Sequence, residues 1–262
     1  MSAVSALSSG NARAVFGRNL VGARGVNLWV MVSGFFEPVF YLVALGAGLG
    51  GLIGVVALPD GREVPYAAFI APGLLAVSAM NGAIADSTWN VFFKMRFMRV
   101  YDAMLATRLG PLDVALGEIS WALFRGAVYA SAFLIVMQCF GLNLAWTAVL
   151  AIPAAVLIGF GFAAVGMGIT SCLRTFQQMD WIQFALLPMF MLSGTFFPIS
   201  LYPEWVQWIV QALPLWHGIE LVRGLTTGAL SWGMLLHVGY FAVMVVLGLV
   251  FTTRRLRALF LT

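Results

Sequence analysis

Hydrophobic positions along this chain form long unbroken runs, longer than the buried elements of a soluble protein require. No Asp, Glu, Lys or Arg occurs in residues 38–59, 64–85, 126–173, 181–203 or 224–253. A helix that crosses a bilayer needs about 20 apolar residues, so the longest window holds parts of two helices, joined at Gly141-Leu142-Asn143. The pattern predicts six membrane-spanning helices, near residues 28–52, 67–91, 114–138, 146–172, 179–198 and 232–253.

The segment between the second and third predicted spans, residues 92–105, has a different pattern, FFKMRFMRVYDAML. At the helical period, one face is apolar and the opposite face is charged. The apolar face comprises Phe93, Phe97, Val100, Tyr101 and Met104, and the charged face Arg96, Arg99 and Asp102. Leu109-Gly110-Pro111 is a helix stop signal. We therefore predict one amphipathic helix from Phe93 to Met104, which either lies on a lipid surface or docks a soluble partner.

The segment between the fifth and sixth predicted spans, residues 196–228, is too polar and too rich in proline to cross a membrane. Pro203 fits the first turn of a short helix through Leu213, and Pro214 closes that helix. A second short helix follows through Arg223. Four tryptophans in and beside this segment suit a membrane–water interface. They are Trp205, Trp208, Trp216 and Trp232. The pattern favours two short helices that dip into the outer leaflet, and an ordinary long loop is the alternative.

Composition indicates the environment of the chain, and charge indicates its orientation across the membrane. The chain is 62% hydrophobic and 9% charged, whereas soluble domains have about 25% charged residues, so most of its surface faces lipid. Cytoplasmic segments are enriched in Lys and Arg, which places both termini on the cytoplasmic side. The inner segments then carry Arg13, Arg18, Arg24, Lys94, Arg96, Arg99, Arg108, Arg174, Arg254, Arg255 and Arg257. The outer segments carry Arg62 and Arg223.

These patterns predict an all-α polytopic membrane protein with three parts. Residues 1–27 form a cytoplasmic N-terminal segment, residues 28–253 a six-helix transmembrane domain and residues 254–262 a basic cytoplasmic tail. The first 27 residues contain arginines but no apolar core of a signal peptide, so we expect insertion without cleavage.

Ionisable side chains inside the predicted spans are the first candidates for function. A charge at the bilayer centre costs about 2.5–3.5 kcal/mol on insertion scales and marks a functional site by default. The candidates are Glu37, beside the helix-bending Pro38, and Glu118 and Arg125 in the third span. They either form a buried pair, such as Glu37 with Arg125, or serve transport. Asp86, Asp113 and Asp180 lie near span ends, where we expect them to be solvated.

Enzyme chemistry finds little support in the residue pattern. His217 and His237 lack Cys, Asp or Glu at metal-ligand spacing, except Glu220 three residues after His217. There is no Walker A sequence, and the GAGLGG string ends a membrane helix, where a dinucleotide fingerprint needs a strand before it. Cys139 and Cys172 fit neither a disulfide nor a metal spacing. We therefore predict no catalytic, cofactor-binding or metal-binding residue on this chain, and no nucleic-acid partner.

Four strings together resemble one protein family. They are FEPVFYLVALGAGLG in the first span, YDAMLATRLGPLDVALGEISWA into the third, SGTFFPIS at the end of the fifth and LPLWHGIELVRGL beyond it. In order over nearly the whole chain, they are similar to ABC-2 type permeases of the nodulation lipo-oligosaccharide exporter and daunorubicin-resistance branch. The resemblance implies two six-span permeases, identical or different, with two copies of an ATP-binding subunit that carries ATP and Mg. Together they would export a drug, glycolipid or lipo-oligosaccharide across the bacterial inner membrane.

The resemblance also implies roles for particular residues. The segment from Ala12 to Asn27 corresponds to an interfacial connecting helix. A coupling helix that docks the ATPase corresponds to Phe93, Lys94, Arg96, Phe97, Arg99, Val100, Asp102 and Met104. A pathway lined by spans two and five makes candidates of Met80, Asn81, Gln183, Phe184, Met189 and Met191, for which plain helix packing is the alternative. The competing function is a membrane enzyme or scaffold that acts on lipid without an ATPase.

Overall fold

The computed structural model describes residues 11–23, 28–58 and 60–260, and the side chains of 11–22, 36–58 and 60–259. It is helical apart from one antiparallel hairpin. The α-helices are α1 (Ala12–Ala23), α2 (Leu28–Gly48), α3 (Gly50–Ile53), α4 (Tyr66–Ala85), α5 (Val91–Arg96), α6 (Val100–Leu105), α7 (Pro111–Cys139), α8 (Ala151–Cys172), α9 (Asp180–Leu192), α10 (Glu204–Ala212), α11 (Pro214–Thr227) and α12 (Gly233–Phe260). The hairpin pairs β1 (Val55–Ala57) with β2 (Glu63–Pro65). The predicted all-α membrane class is confirmed, and the hairpin was not predicted.

Five helical stretches of the described chain are long and apolar enough to cross a membrane. They are Phe36–Ile53, Tyr66–Arg96, Pro111–Cys139, Trp146–Cys172 and Gly233–Leu259. The second stretch joins α4 to α5 through a π-helical segment, Asp86–Asn90. The last stretch is part of α12, which remains helical through the basic residues from 254 onward that the sequence analysis assigned to a separate tail.

The predicted fifth span, residues 179–198, is not among them. Helix α9 has 13 residues, which gives a length of about 20 Å against about 30 Å of hydrocarbon. It ends where Gly194 adopts a φ of 75°, a conformation that suits glycine and closes a helix. The six predicted spans are therefore five long helices and one short one.

The bundle has two chemically distinct ends. The basic end contains α1, α5, α6 and the C-terminal part of α12, and the hairpin end contains the β-hairpin, α10 and α11. The chain nevertheless runs from the basic end to the hairpin end through α9. Before α9, the ring of Phe176 lies 5.1 Å from that of Trp89 near the basic end, and after it the carbonyl of Gly194 is bound by Arg223 of α11.

Helix α8 lies at the centre and contacts α4, α7, α11 and α12. Small residues allow this close packing. A Cβ added to Gly248 of α12 would come within 2.8 Å of the Ala164 backbone. At the periphery, α9 buries none of its side chains. The core is thus built on α4, α7, α8, α11 and α12, with α9 attached loosely beside it.

The predicted single amphipathic helix from Phe93 to Met104 is wrong. The chain forms α5, then a turn at residues 97–99, then α6. Arg99 adopts a left-handed φ of 47°, which is uncommon for a residue with a Cβ. The turn separates the apolar face into two parts, since Tyr101 and Met104 are buried while Phe93 and Phe97 remain exposed.

Two of the other local predictions are confirmed, and a third lies partly outside the described residues. The two short helices before the last span are confirmed as α10 and α11, although α11 continues to Thr227. The turn at Gly141 is confirmed, with a φ of 68°. A helix within the predicted range from Ala12 to Asn27 is seen as α1, its interfacial position stays a prediction, and residues 24–27 and 1–10 lie outside the described residues.

Candidate functional site

A buried polar cluster at the basic end joins three helices. Lys94 Nζ of α5 lies 2.6 Å from Glu118 Oε2 of α7 and 3.2 Å from Asn19 Oδ1 of α1. Asn19 Nδ2 donates to the same Glu118 oxygen at 3.0 Å. The side chains of Lys94 and Glu118 are 18% and 5% exposed. The Lys94 ammonium therefore points into the bundle and away from the surface where a docking residue is expected.

The second Glu118 oxygen lies among groups that are less well satisfied. Arg18 Nη1 is 4.0 Å from Glu118 Oε1. The buried hydroxyl of Tyr101 lies near this carboxylate, but neither atom has the geometry of a full hydrogen bond to a described group. Burial, together with the negative charge of Glu118, raises the pKa of Tyr101 well above its ordinary value. The hydroxyl thus stays protonated and able to donate to Glu118 after a small shift.

Helix α1 reaches this cluster because Gly117 has no side chain. A Cβ on Gly117 would lie 2.4 Å from Val15 Cβ and 2.9 Å from the carbonyl oxygen of Ala12. Contacts that short do not occur between real Cβ atoms. The Leu116-Gly117-Glu118 string therefore supplies both the close approach of α1 and the carboxylate that binds it.

An exposed surface lies on the outside of the same loop. Phe93, Phe97 and Met98 are 40%, 66% and 68% exposed, and Arg99 and Asp102 beside them are also exposed. The Phe93 and Phe97 rings lie 5.3 Å apart. Large apolar side chains rimmed by charge at such density mark interaction surfaces.

The remaining residues predicted for docking are placed differently. Arg96 Nη2 donates to the carbonyl of Leu173 at 2.9 Å, so this exposed side chain also caps the end of α8. Val100 is half-buried, and Met104 is buried, with its sulfur 3.8 Å from Arg18 Nη1. The exposed surface of this loop, where a partner is predicted to dock, therefore consists of Phe93, Phe97, Met98, Arg99 and Asp102, with Arg96 at its edge.

A polar cavity of about 480 Å³ lies between α2, α4, α7 and α9. Its polar lining residues include Glu37, Ser78, Asn81, Arg125, Tyr129 and Gln183. Two of the predicted ionisable groups, Glu37 and Arg125, thus face one space. The third, Glu118, belongs to the cluster at the basic end.

The predicted pair of Glu37 with Arg125 is wrong. Arg125 Nη2 lies 3.2 Å from Asp86 Oδ1, and Asn90 Nδ2 donates to the same oxygen at 2.7 Å. Asp86 is 7% exposed, so the expectation that it is solvated is also wrong. Asp86 and Asn90 lie in the π-helical segment, a feature often found at functional sites. Glu37 has no ion-pair partner among the described side chains.

Of the other two aspartates that were expected to be solvated, one is buried and one is exposed. Asp113 is 1% exposed and accepts a hydrogen bond from the Gly110 amide at 2.9 Å. It caps the start of α7, as an acidic residue in a first turn does. Asp180 is exposed, as expected.

The residues predicted for a substrate pathway are only partly brought together. Asn81 and Gln183 line the polar cavity. Met80 is fully buried in the core, which contradicts a place on a pathway. The other three lie on α9, where Phe184 and Met191 are exposed and Met189 is half-buried.

The hairpin end contains a buried cation in a segment that the sequence analysis assigned to the outer side. Arg223 of α11 is 5% exposed, donates to the Gly194 carbonyl at 2.8 Å and pairs with Glu220. Its guanidinium carbon lies 4.1 Å from the centre of the Phe69 ring. The spacing of Glu220 and Arg223, three residues apart in one helix, was a usable signal for this pair.

The two histidines meet at this end, which the sequence did not predict. His217 Nδ1 of α11 lies 2.7 Å from His237 Nδ1 of α12. The ring of Tyr240 stacks on that of His217 with centroids 4.1 Å apart. Burial, followed by the neighbouring His237, lowers the pKa of His217 to about 4. His217 is therefore neutral at pH 7, and one ring nitrogen of the pair donates a hydrogen bond to the other.

Comparison with known proteins assigns the family. The description "ABC-2 type transporter" belongs to the family whose profile matches residues 12–227. Nodulation protein J of Rhizobium leguminosarum bv. viciae is 34% identical over 246 residues, which cover 93% of each chain. Nodulation protein J of Sinorhizobium fredii is 34% identical over 236 residues, 89% of this chain and 88% of the relative. The inner membrane transport permease YadH of Escherichia coli is 24% identical over 229 residues, 85% of each. The polytopic helical fold and these matches establish that the chain belongs to the ABC-2 type transporter family.

Proposed function

We propose that this chain is the membrane-spanning subunit of an ATP-driven exporter of amphiphilic or hydrophobic compounds, such as a drug, a glycolipid or a lipo-oligosaccharide. Two copies of a separate ATP-binding subunit would supply the energy, and a second permease copy, identical or different, would complete the transporter. The complex would lie in the bacterial inner membrane, with the basic end and both termini in the cytoplasm. Family membership supports the transporter class.

The observation that carries the proposal is the connection between an exposed surface and the transmembrane core. Phe93, Phe97, Met98, Arg99 and Asp102 form the docking surface at the tip of α5 and α6. One turn away, Lys94 is fixed to Glu118 of α7 and to Asn19 of α1. A buried charged contact holds its partners in defined geometry, so a push on this surface moves α5, α7 and α1 together.

The same loop is continuous with the polar cavity. Helix α5 follows directly on the π-helical segment that contains Asp86, and Asp86 pairs with the cavity residue Arg125. A displacement of α5 would therefore change the Asp86–Arg125 contact. This gives a physical route by which nucleotide-driven motion outside the membrane reaches the space between α2, α4, α7 and α9.

The test is to isolate the tagged chain from its native membrane in mild detergent and identify what accompanies it. We expect a stoichiometric ATP-binding subunit. Arg99→Glu should reduce its recovery about tenfold, because reversed charge in an interface costs on the order of a kcal/mol or more. Arg257→Glu is the matched control, since it makes the same charge change at an exposed position of α12 at the same end. Recovery of the chain alone, or equal loss for both variants, would contradict the docking role.

A further inference from the structure

A small cavity of about 290 Å³ lies at the hairpin end, between the β-hairpin, α11 and the start of α12. Its charged lining residues are Asp60, Glu220 and Arg223, with the hydroxyl groups of Thr227 and Ser231 beside them. It shares no described lining residue with the polar cavity between α2, α4, α7 and α9. Its residues therefore have no part in the proposed route from the docking surface to the membrane core.

The charges at this cavity are balanced within the protein. Arg62 donates to the Asp60 carboxylate and, through Nη1, to the Thr227 carbonyl at 3.1 Å. Arg223 pairs with Glu220. Two carboxylates are thus matched by two guanidinium groups, so a ligand that carries no net charge, including a zwitterion, fits the wall best.

Two polar atoms at the cavity have no hydrogen-bond partner among the described groups. Arg223 binds one oxygen of the half-buried Glu220 carboxylate and leaves the other without a donor. The buried Nε of Arg223 has no acceptor. A ligand that offers both a cationic donor and an anionic acceptor satisfies both atoms.

An apolar groove of about 390 Å³ adjoins this cavity, and Ser231 and Met234 line both spaces. The other residues of the groove, Leu230, Trp232 and Leu235, are exposed. They lie at the start of α12, which is long and apolar enough to cross a membrane. Because tryptophan is enriched where a membrane meets water, the groove lies where lipid head groups give way to acyl chains.

We propose that this cavity binds the head group of phosphatidylethanolamine from the leaflet at the hairpin end, with an acyl chain in the groove beside Trp232. The lipid ammonium donates to Glu220, and a phosphate oxygen lies beside Arg223 and accepts from its Nε. The lipid connects the β-hairpin and α11 to α12. It is a resident of the bilayer and not the transported compound, so the inference does not depend on export.

The chemistry of the head group separates this lipid from others of the same shape. A primary ammonium has three donors, which match the free oxygen of Glu220. The trimethylammonium of phosphatidylcholine has no N–H to donate. Phosphatidylglycerol has no cation and would bring a net negative charge to a cavity that already contains two carboxylates.

Native mass spectrometry of the full chain, released from mild detergent, tests the site. The chain and its Glu220→Gln variant are titrated in turn with palmitoyl-oleoyl phosphatidylethanolamine, phosphatidylcholine and phosphatidylglycerol. The substitution should weaken binding of the first phosphatidylethanolamine about tenfold, because it removes the charge that the ammonium meets. Binding of the other two lipids should not weaken. An unchanged affinity for phosphatidylethanolamine, or an equal loss for all three lipids, would overturn the proposal.

Matched variants exclude a general loss of structure at this end. Glu204→Gln makes the same change at an exposed position of α10 that lines neither space, and should leave the affinity unchanged. Ser231→Trp fills the junction of cavity and groove from an exposed position, leaves the pair of Glu220 with Arg223 intact, and should also weaken phosphatidylethanolamine binding about tenfold. Ser200→Trp, exposed and outside both spaces, is its control. If Ser231→Trp binds the lipid as the unaltered chain does, the lipid lies elsewhere and the proposal fails.

Discussion

The two ends of the bundle use buried cations in different ways. At the basic end, Lys94 binds a carboxylate on a spanning helix, Glu118 of α7, and so connects two long elements and α1. At the hairpin end, Arg223 binds a backbone carbonyl, that of Gly194 directly after α9, and stacks on Phe69. The first arrangement couples helices that can move together. The second fixes a loop at the point where α9 stops.

The histidine pair extends this contrast. It joins α11 to α12 through neutral rings packed against aromatic neighbours, whereas the basic end relies on full charges. The basic end should therefore respond most strongly to the removal of a charge, and the hairpin end to a change of pH.

The largest effect should follow removal of one member of the ion pair at the basic end. Lys94→Met leaves the Glu118 carboxylate buried without its counter-charge, which costs about 3–5 kcal/mol in the free energy of unfolding. The double variant Lys94→Met with Glu118→Leu should recover most of that loss, because no unpaired charge remains. Denaturant unfolding of the purified chain measures both. A double variant no more stable than the single one would show that the pair is not the cause.

The next effect concerns the buried arginine of the hairpin end. Arg223→Met leaves the Gly194 carbonyl without its donor and Glu220 without its cation, and should cost about 2–3 kcal/mol in the free energy of unfolding. Arg62→Met, at an exposed arginine of the same end that pairs with Asp60, should cost under about 1 kcal/mol. Proteolysis after α9 offers a second measurement, since the released segment should be cut faster. Equal losses for the two arginines would remove the distinction between them.

A third, smaller effect tests the close approach of α1. Gly117→Ala places a Cβ against Val15 and should cost about 1–3 kcal/mol in the free energy of unfolding through overpacking. Gly126→Ala, on the same helix and with no atom within 4 Å of the added Cβ, should be neutral or slightly stabilising. Cross-linking of α1 to α7 through introduced cysteines would show whether α1 has moved. If both alanines are neutral, α1 does not depend on Gly117.

The smallest effect is the pH dependence of the hairpin end. Because the pKa of His217 is lowered to about 4 in the folded chain from an ordinary value near 6.5, the unfolded chain binds a proton first as the pH falls. Stability should therefore decrease between about pH 6.5 and pH 4. His217→Gln should flatten this part of a plot of Tm against pH. An unchanged slope in the variant would assign the effect to other groups.

Several features of the fold and the site were predictable from the sequence. Charge-free windows located the five long helices, because burial in lipid requires an apolar side chain at almost every position. Proline positions located α10 and α11. The segment that contains Phe97 and Arg99 was recognised as a surface feature, since it gathers charge between two apolar runs. Asn81 and Gln183 were candidates because the resemblance implies a pathway lined by spans two and five.

Other features were not predictable, for reasons that concern distance along the chain. The partners of Lys94 and Arg125 lie 24 and 39 residues away in sequence, and each long side chain could reach carboxylates on several neighbouring helices. The left-handed turn at Arg99 was not predictable, because residues 97–99 include no glycine or asparagine that would indicate it. The length of α9 was overestimated because its apolar run continues past the turn at Gly194.

The sequence by itself determined where the chain meets lipid, which end carries the positive charge and which family the chain resembles, because these properties depend on residue type and local order. Only the tertiary structure decided which charges pair, which apolar side chains remain exposed and where cavities form between the helices. Those properties depend on how helices approach one another, and small residues such as Gly117 and Gly248 set these distances only when a particular neighbour lies opposite.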